Sequence, residues 1–333
     1  MAKLGIGLLG AARITDKAVI DPARVIPQCR LIAGAARDTG RAKAFAETHK
    51  IGAVFDTYDE VIASDAVDLI YNPLPIHLHA DWTIKALKAG KHVLCEKPFA
   101  MNKVEAAAMI AASEASGKRL IEAFHYRYHP AFQTCLDWLA ADEIGELKEL
   151  HATFDVEIKD NGTEIRHRVE TGGGAMMDLG CYPLHWALSI LEETPTEISS
   201  SATLTPSGVD ESMRADLAFP SGVAAHLRTN MGPGAQFKAD LKLIGSRGEI
   251  RFTNPLAPHN PFVPGRLSSS KGREAEISPI STYTYQLAAV KRALESGASL
   301  PTEGAMMLRQ QTLLDTIYEQ AGLQHLRYLN KES

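Results

Sequence analysis

Three stretches of the 333-residue chain gather side chains that could do chemistry. In HVLCEKPFAM an apolar run delivers Glu96 and Lys97 just ahead of Pro98. Charged groups are costly to bury, and the carboxyl end of a strand is where an α/β sheet presents its ligands. A lysine there, next to a bound cation, could have its pKa lowered and serve proton transfer. The plain alternative is a solvated strand end. In GGGAMMDLGCYPLHW three glycines lead into a helix that carries Asp178, Tyr182 and His185. Spacings of four and three put the three on one helix face. Tyr and His can donate or accept a proton and Asp can orient them, although each alone could be an ordinary polar residue of the helix. A metal held by Asp178, His185 and His77 has no HExxH-like spacing behind it, and no metal is expected.

The third stretch is GIGLLGAARI, near the start of the chain. Gly5, Gly7 and Gly10 match GxGxxG literally, but Leu4, Ile6, Leu8 and Leu9 read as a buried strand. A dinucleotide fingerprint needs its glycines after the strand, in the turn that opens a helix. The alternative register starts at Gly10 and runs through Ala11, Ala12, Arg13 and Ile14, with free helical N–H groups facing a pyrophosphate. The next strand ends Ala35-Ala36-Arg37-Asp38, with Ala36 where an acid would read the ribose of a cofactor lacking the 2′-phosphate. Arg37 and Arg41 could clamp a 2′-phosphate. Asp38 could instead cap the next helix or reach the ribose.

The elements that must position these groups form two patterns. Candidate strands Leu4–Leu9, Arg30–Ala36, Val54–Phe55, Asp68–Asn72, His92–Cys95 and Leu120–Phe124 alternate with helix-like segments Arg13–Ile26, Gly40–His49, Tyr58–Ala63, His77–Ala89 and Asn102–Ser116. Such alternation makes βαβ units and a parallel sheet. After a helix at His129–Ala141, strand-like runs dominate: Leu147–Ile158, Glu197–Leu204, Met213–Phe219, Val223–Asn230, Ala239–Ile244 and Glu249–Phe252. Turns at Pro220-Ser221-Gly222 and Gly245-Ser246-Arg247-Gly248 join some of them into hairpins. Helices are expected at Ala175–Leu191, Tyr285–Glu295 and Gly304–Leu323, and a surface loop at Asn254–Arg273. The fold class is therefore α/β. An N-terminal Rossmann domain with a parallel sheet (1–124) precedes a C-terminal α+β domain with an open-faced, mostly antiparallel sheet (125–333). Catalysis is expected in the crevice between them, and self-association through the open sheet.

Composition bounds the function. With 45% hydrophobic and 23% charged residues, the chain reads as a soluble globular protein. Its formal net charge of -5, without a long basic run, argues against a nucleic-acid partner. No apolar stretch approaches the roughly 20 residues of a membrane helix, and the first residues make no convincing signal peptide. The cysteines Cys29, Cys95, Cys135 and Cys181 form no CxxC pair, so free thiols in a reducing cytoplasm are the default.

Gly10-Ala11-Ala12-Arg13-Ile14, the run NPLPIHLHADWTIKALKAGKHVLCEKP from Asn72 to Pro98, and GGGAMMDLGCY from Gly172 to Tyr182 together resemble the glucose-fructose oxidoreductase/inositol dehydrogenase/MocA family. The resemblance covers essentially the whole chain, with departures at Ala12 and Thr15. LIAGAARDTGRAKAFA and EAFHYRYHP, the latter holding Arg127, are similar to the dimeric dihydrodiol dehydrogenase and NADP-dependent D-xylose dehydrogenase subgroup. The resemblance selects Gly10 as the first fingerprint glycine. It implies NADP, with NAD possible, held by Gly10, Ala11, Ala12, Arg13, Ile14, Arg37, Arg41, Asn72, Pro73, His77, Glu96 and Lys97. It implies hydride transfer at a CH–OH or C=O carbon of a sugar, sugar derivative or cyclic diol, contacted by Lys97, Arg127, Asp178, Tyr182 and His185. In that reading Tyr182 carries the hydroxyl proton, Lys97 lowers the phenol pKa, and Asp178 orients the pair. A phenol with an ordinary pKa of about 10 needs such a cation near neutral pH. The alternatives are an NAD-dependent inositol or polyol dehydrogenase and a non-enzymatic dinucleotide-binding regulator. Tyr182 and Arg37 disfavour the first, and Lys97 with Tyr182 the second. A cytoplasmic homodimer or homotetramer is expected.

Overall fold

The computed structural model of the chain describes residues 3–328. The chain divides into two compact units. The first comprises the chain up to Ala100, Val104–His125 and Tyr283–Met307; the second comprises Met101–Lys103, Tyr126–Thr282 and the chain from Leu308 on. A single cut after residue 124 thus describes the middle of the chain but not its end, because residues 283–307 return to the first unit.

The first unit is built on six parallel strands: β1 (Leu4–Leu9), β2 (Cys29–Ala35), β3 (Ala53–Val54), β4 (Leu69–Asn72), β5 (His92–Cys95) and β6 (Leu120–Glu122). Their order is β3-β2-β1-β4-β5-β6, the doubly wound arrangement whose direction reverses beside β1. Successive side chains of a strand point to opposite faces, and the two apolar clusters obey this. Ile70, Val93, Cys95 and Leu120 join Val61, Leu87 and Met109 on one face. Leu69, Tyr71, Leu94 and Ile121 join Val19, Leu287 and Val290 on the other. The helices that cover the sheet are α2 (Thr39–His49), α3 (Tyr58–Ala63), α4 (His79–Lys88), α5 (Lys103–Ser116) and α8 (Thr282–Ser296). The single helix expected over Arg13–Ile26 is shorter. A wide π turn at Asp16–Ile20 leads into α1, only Asp21–Val25, with Pro22 in its first turn.

The second unit holds α6 (Pro130–Ala140), α7 (Cys181–Leu191), most of α9 (Ala305–Gln320) and a seven-stranded sheet. Its strands are β7 (Leu147–Asp155), β8 (Glu197–Leu204), β9 (Asp210–Ala218), β10 (Ala224–Asn230), β11 (Lys238–Gly245), β12 (Gly248–Thr253) and β13 (Arg266–Ser269), ordered β13-β12-β11-β7-β10-β9-β8. All pairs are antiparallel except β7 with β10. Strand β13 lies inside the segment expected to be a loop. Four residues between proline and glycine are too short to show a period, and pairing with β12 defines them. Burial alternates along β9 and β10: Met213, Ala215, Leu217, Ala225 and Leu227 face the core, while Arg214, Asp216, His226 and Arg228 face outward. No helix among the described residues is long and apolar enough to cross a membrane.

Candidate active site

The glycines of the opening stretch separate into two groups. Gly5 and Gly7 lie inside β1. A Cβ on Gly5 would stand 2.0 Å from the Ala66 carbonyl oxygen, and one on Gly7 within 3.0 Å of Val61, Ile70 and Val67 side chains. Their missing side chains make room for packing. Gly10 follows the strand, with φ of +84° and its N–H donating to Ala35 O at 2.7 Å. Thr15 N donates to Ala12 O at 3.0 Å, closing a turn, and the buried Thr15 hydroxyl has no hydrogen-bond partner among the described residues. Arg13 is exposed, Ala11 and Ala12 are half-buried, and Ile14 packs against the core.

The turn after β2 stands next to this one. Asp38 caps α2, accepting from Arg41 N at 2.7 Å. Arg41 Nη2 donates to Ala11 O at 2.9 Å and so ties the two turns together. Arg37 is exposed and lies close to the Tyr58 hydroxyl, whose pKa burial raises against the pull of Arg37. A left-handed glycine, an orphaned buried hydroxyl and two exposed guanidinium groups at the carboxyl ends of β1 and β2 fit a dinucleotide with a charged ribose end.

Asn72 is fully buried. Its amide donates to Thr83 Oγ1 at 3.1 Å and to His79 O at 3.3 Å, while its oxygen accepts from Leu74 N. Its side chain therefore shapes the loop that carries Pro73 and His77, both half-buried. His79, one helical turn into this run, ties the loop to the EKP turn: its ring nitrogens face Leu74 O at 2.6 Å and Pro98 O at 3.1 Å. Burial pushes the His79 pKa down to about 4, against the backbone carbonyls of Leu74, Pro98 and Phe99, which pull it up.

Glu96 and Lys97 leave β5 half-buried, ahead of a cis Lys97–Pro98 peptide. Glu96 accepts from the Tyr71 hydroxyl at 2.8 Å, and its backbone N–H donates to Asn72 O at 3.0 Å. Glu122, at the end of β6, accepts from Phe99 N at 3.1 Å. Burial pushes its pKa up to about 8; the Phe99 hydrogen bond and the Lys97 charge pull it down, and Glu96 pushes it up. Lys97 thus sits in the field of two carboxyl groups at the carboxyl end of the sheet.

In the second unit, Asp178 lies in a π turn, Met176–Gly180, that precedes α7. The regular helical face expected for Asp178, Tyr182 and His185 begins only at Cys181. Asp178 accepts from Arg166 Nε at 2.6 Å, and Arg166 Nη1 donates to Glu164 at 2.9 Å. The two acids hold the guanidinium charge well above its ordinary range. Buried Asp210 fixes the start of the turn by accepting from Met176 N at 2.7 Å and the Tyr318 hydroxyl at 2.6 Å. Tyr182 is buried, with its ring 5.7 Å from Phe154 and 6.2 Å from Tyr126. His185 is buried too; its Nδ1 faces the Tyr126 hydroxyl at 2.5 Å and Ser189 Oγ at 3.3 Å. Burial, aided by the Arg127 charge, pushes the His185 pKa down to about 3. Arg127 is half-buried, with its guanidinium over the Phe132 ring at 5.4 Å.

Residues 4–124 match the model of the oxidoreductase family with an NAD-binding Rossmann fold, and residues 132–251 match the GFO/IDH/MocA C-terminal domain. The chain belongs to the GFO/IDH/MocA oxidoreductase family. A D-xylose 1-dehydrogenase (NADP+) from Haloferax volcanii is 32% identical, over 95% of this chain and 96% of that one. A dTDP-3,4-didehydro-2,6-dideoxy-alpha-D-glucose 3-reductase from Streptomyces violaceoruber is also 32% identical, over 96% of each. Among solved structures, a 3-ketoreductase from Actinomadura kijaniata in complex with NADP and TDP-benzene superposes with a TM-score of 0.85 at 26% identity, covering 95% of this chain and 97% of that one. The chain is thus an oxidoreductase of a family whose relatives handle sugars with NADP.

Sequence reasoning missed Arg166, Glu122, Tyr126 as partner of His185, and Asp210. Glu122 and Tyr126 stand in the EAFHYRYHP run but carry no chemical spacing of their own. Arg166 and Asp210 reach the Asp178 turn only through the fold.

Proposed function

We propose that this protein is an NADP-dependent dehydrogenase or reductase acting on a CH–OH or C=O carbon of a sugar, sugar derivative or cyclic diol. The observation that carries it is Lys97 at the carboxyl end of β5, flanked by Glu96 and Glu122. NADP, when bound, supplies or accepts the hydride. Gly10, Ala11, Ala12 and Arg13 line its pyrophosphate, and Arg37 and Arg41 meet its 2′-phosphate. Ile14, Asn72, Pro73, His77, Glu96 and Lys97 would hold the rest of the cofactor. Lys97 and Tyr182 act on the same substrate oxygen: the phenol moves the proton, and the ammonium stabilises the phenolate that this leaves. Asp178, fixed by Arg166, orients the hydroxyl, and Arg127 adds a cation on the substrate side. His185, beside Tyr126, stands on the substrate side as well. The first 124 residues thus serve the cofactor, and residues from 125 on serve substrate and self-association. The working protein is a cytoplasmic homo-oligomer formed through the open face of the second sheet, with no nucleic-acid or membrane partner.

The test is a screen of aldoses, anhydrosugars, inositols and dihydrodiols with NADP+ and NAD+, and of the matching carbonyl compounds with NADPH and NADH. Turnover with NADP(H) that Tyr182→Phe abolishes supports the reading. Dinucleotide binding without turnover across the panel would point to the regulator instead.

A further inference from the structure

We propose that the open face of the second sheet, the face assigned above to self-association, carries a divalent transition-metal site, with His151, His226 and Glu149 as ligands and Asp216 as the carboxylate that orients His226. The register builds it. Strands β7 and β10 run parallel with His226 directly opposite His151, and β9 places Asp216 directly opposite His226. Glu149 precedes His151 by two residues and so projects from the same face. One donor atom from each of Glu149, His151 and His226 lies within 4.8 Å of the others.

The hydrogen bonds suit a metal. Asp216 Oδ1 lies 2.6 Å from His226 Nδ1. A carboxylate on one ring nitrogen keeps the proton there and leaves the lone pair of the other nitrogen for a metal. Glu149 Oε2 lies 2.9 Å from His151 Nε2. The imidazoles stack with centroids 4.7 Å apart and planes 27° apart. Two independent surface ion pairs would account for each histidine with its own acid. They would not account for one donor atom from each of two imidazoles and a carboxylate all lying within 4.8 Å of the others. Lys242, the cation opposite His151 on β11, is neutralised by Glu249 at 2.7 Å. Donors around a tetrahedral zinc ion stand about 3.4 Å apart, given Zn–N bonds near 2.1 Å. Small rotamer changes of these partly exposed side chains close the gap. Imidazole with one carboxylate selects Zn²⁺, Ni²⁺ or Cu²⁺ over Mg²⁺ or Ca²⁺, with water completing the shell.

The probe is Zn²⁺ alone, titrated calorimetrically into tag-free protein at pH 7.5, with thermal melting as a second readout. One Zn²⁺ per chain is expected, with a Zn²⁺-dependent rise in Tm. His151→Ala and His226→Ala should each weaken binding at least tenfold, and the double variant should lose both the heat and the Tm rise. Asp216→Asn should weaken binding several-fold, as an outer-shell change does. His151→Gln and His226→Gln, which keep side-chain bulk on the strands, should behave like the alanine variants. Wild-type protein that binds no Zn²⁺ below 100 μM (on the order of 5 kcal/mol), or a double variant that binds like wild type, overturns the site.

Discussion

Asp178 and Arg166 are twelve residues apart in sequence and 2.6 Å apart in space, carboxylate oxygen to Nε. The Asp178 side chain is 18% exposed and that of Arg166 35%, so the pair adds little to stability, about 1 kcal/mol or less once solvent screening is counted. Its consequence is geometric: the guanidinium holds one carboxylate oxygen of the π turn in a fixed place. Arg166→Ala should cut kcat by about tenfold while moving Tm by only a few degrees. Arg166→Lys should recover part of the loss, because one ammonium cannot reproduce a guanidinium bonded to both Asp178 and Glu164. Steady-state kinetics with parallel melting curves check this; an unchanged kcat in Arg166→Ala removes Asp178 from the orienting role.

Lys97 and Tyr182 are assigned to one proton transfer, so their losses should not add. Tyr182→Phe and Lys97→Met should each lower turnover by about a hundredfold or more. The double variant should be little worse than the poorer single one. NADPH affinity, read by fluorescence titration, should hardly change in Tyr182→Phe. Losses that multiply in the double variant would mean separate functions.

Cofactor choice is assigned to Arg37 and Arg41, but their surroundings differ. Arg41 also donates to Ala11 O, so its loss disturbs the pyrophosphate turn itself. Arg37→Ala should raise KM for NADP about tenfold or more and leave KM for NAD nearly unchanged, because a lost charge-assisted phosphate contact acts on NADP alone. Arg41→Ala should raise both, NADP more. Comparison of kcat/KM for the two cofactors in both variants decides it; equal effects of Arg37→Ala refute the assignment.

The fold was legible where local chemistry is strong. Leu4–Leu9 and His92–Cys95 are strands with the bounds their apolar runs suggest, and the glycine turns between β9 and β10 and between β11 and β12 close hairpins. Elements defined by partners were not legible. Strand β13 exists because β12 pairs with it, and the π turn at Met176–Gly180 removes Asp178 from the regular face of α7. The candidate side chains could be found from type and spacing, but their supports could not. Asp210 holds Met176 N across 34 residues and Glu122 holds Phe99 N across 23, and nothing local announces either contact. The Tyr126 partner of His185 was likewise not legible: the two meet across 59 residues.

Glu122 gives a pH signature that belongs to this fold. Its carboxyl is buried at the end of β6, and its pKa is pushed up to about 8 from an ordinary 4.5. The sign follows from proton counting. Between those two values the unfolded chain has released the proton while the folded chain keeps it. Stability rises with pH only where the unfolded state binds more protons, so here the Glu122 contribution falls as pH climbs from about 4.5 to about 8, then levels. Buried His79 and His185 and half-buried His92, with pKa values lowered to about 4, 3 and 4, act in the opposite sense: they cost stability as pH drops below the ordinary histidine value of 6.5. Glu122→Gln isolates the carboxyl from these, because the histidines are common to both proteins. Its amide oxygen can still accept from Phe99 N, so the hydrogen bond survives. The variant should match wild type near pH 5, gain on it steadily to pH 8, and hold a constant advantage above. Urea midpoints for both proteins at each unit from pH 5 to 9 measure the difference. A difference that is flat across the range would mean that Glu122 is already ionised in the folded protein.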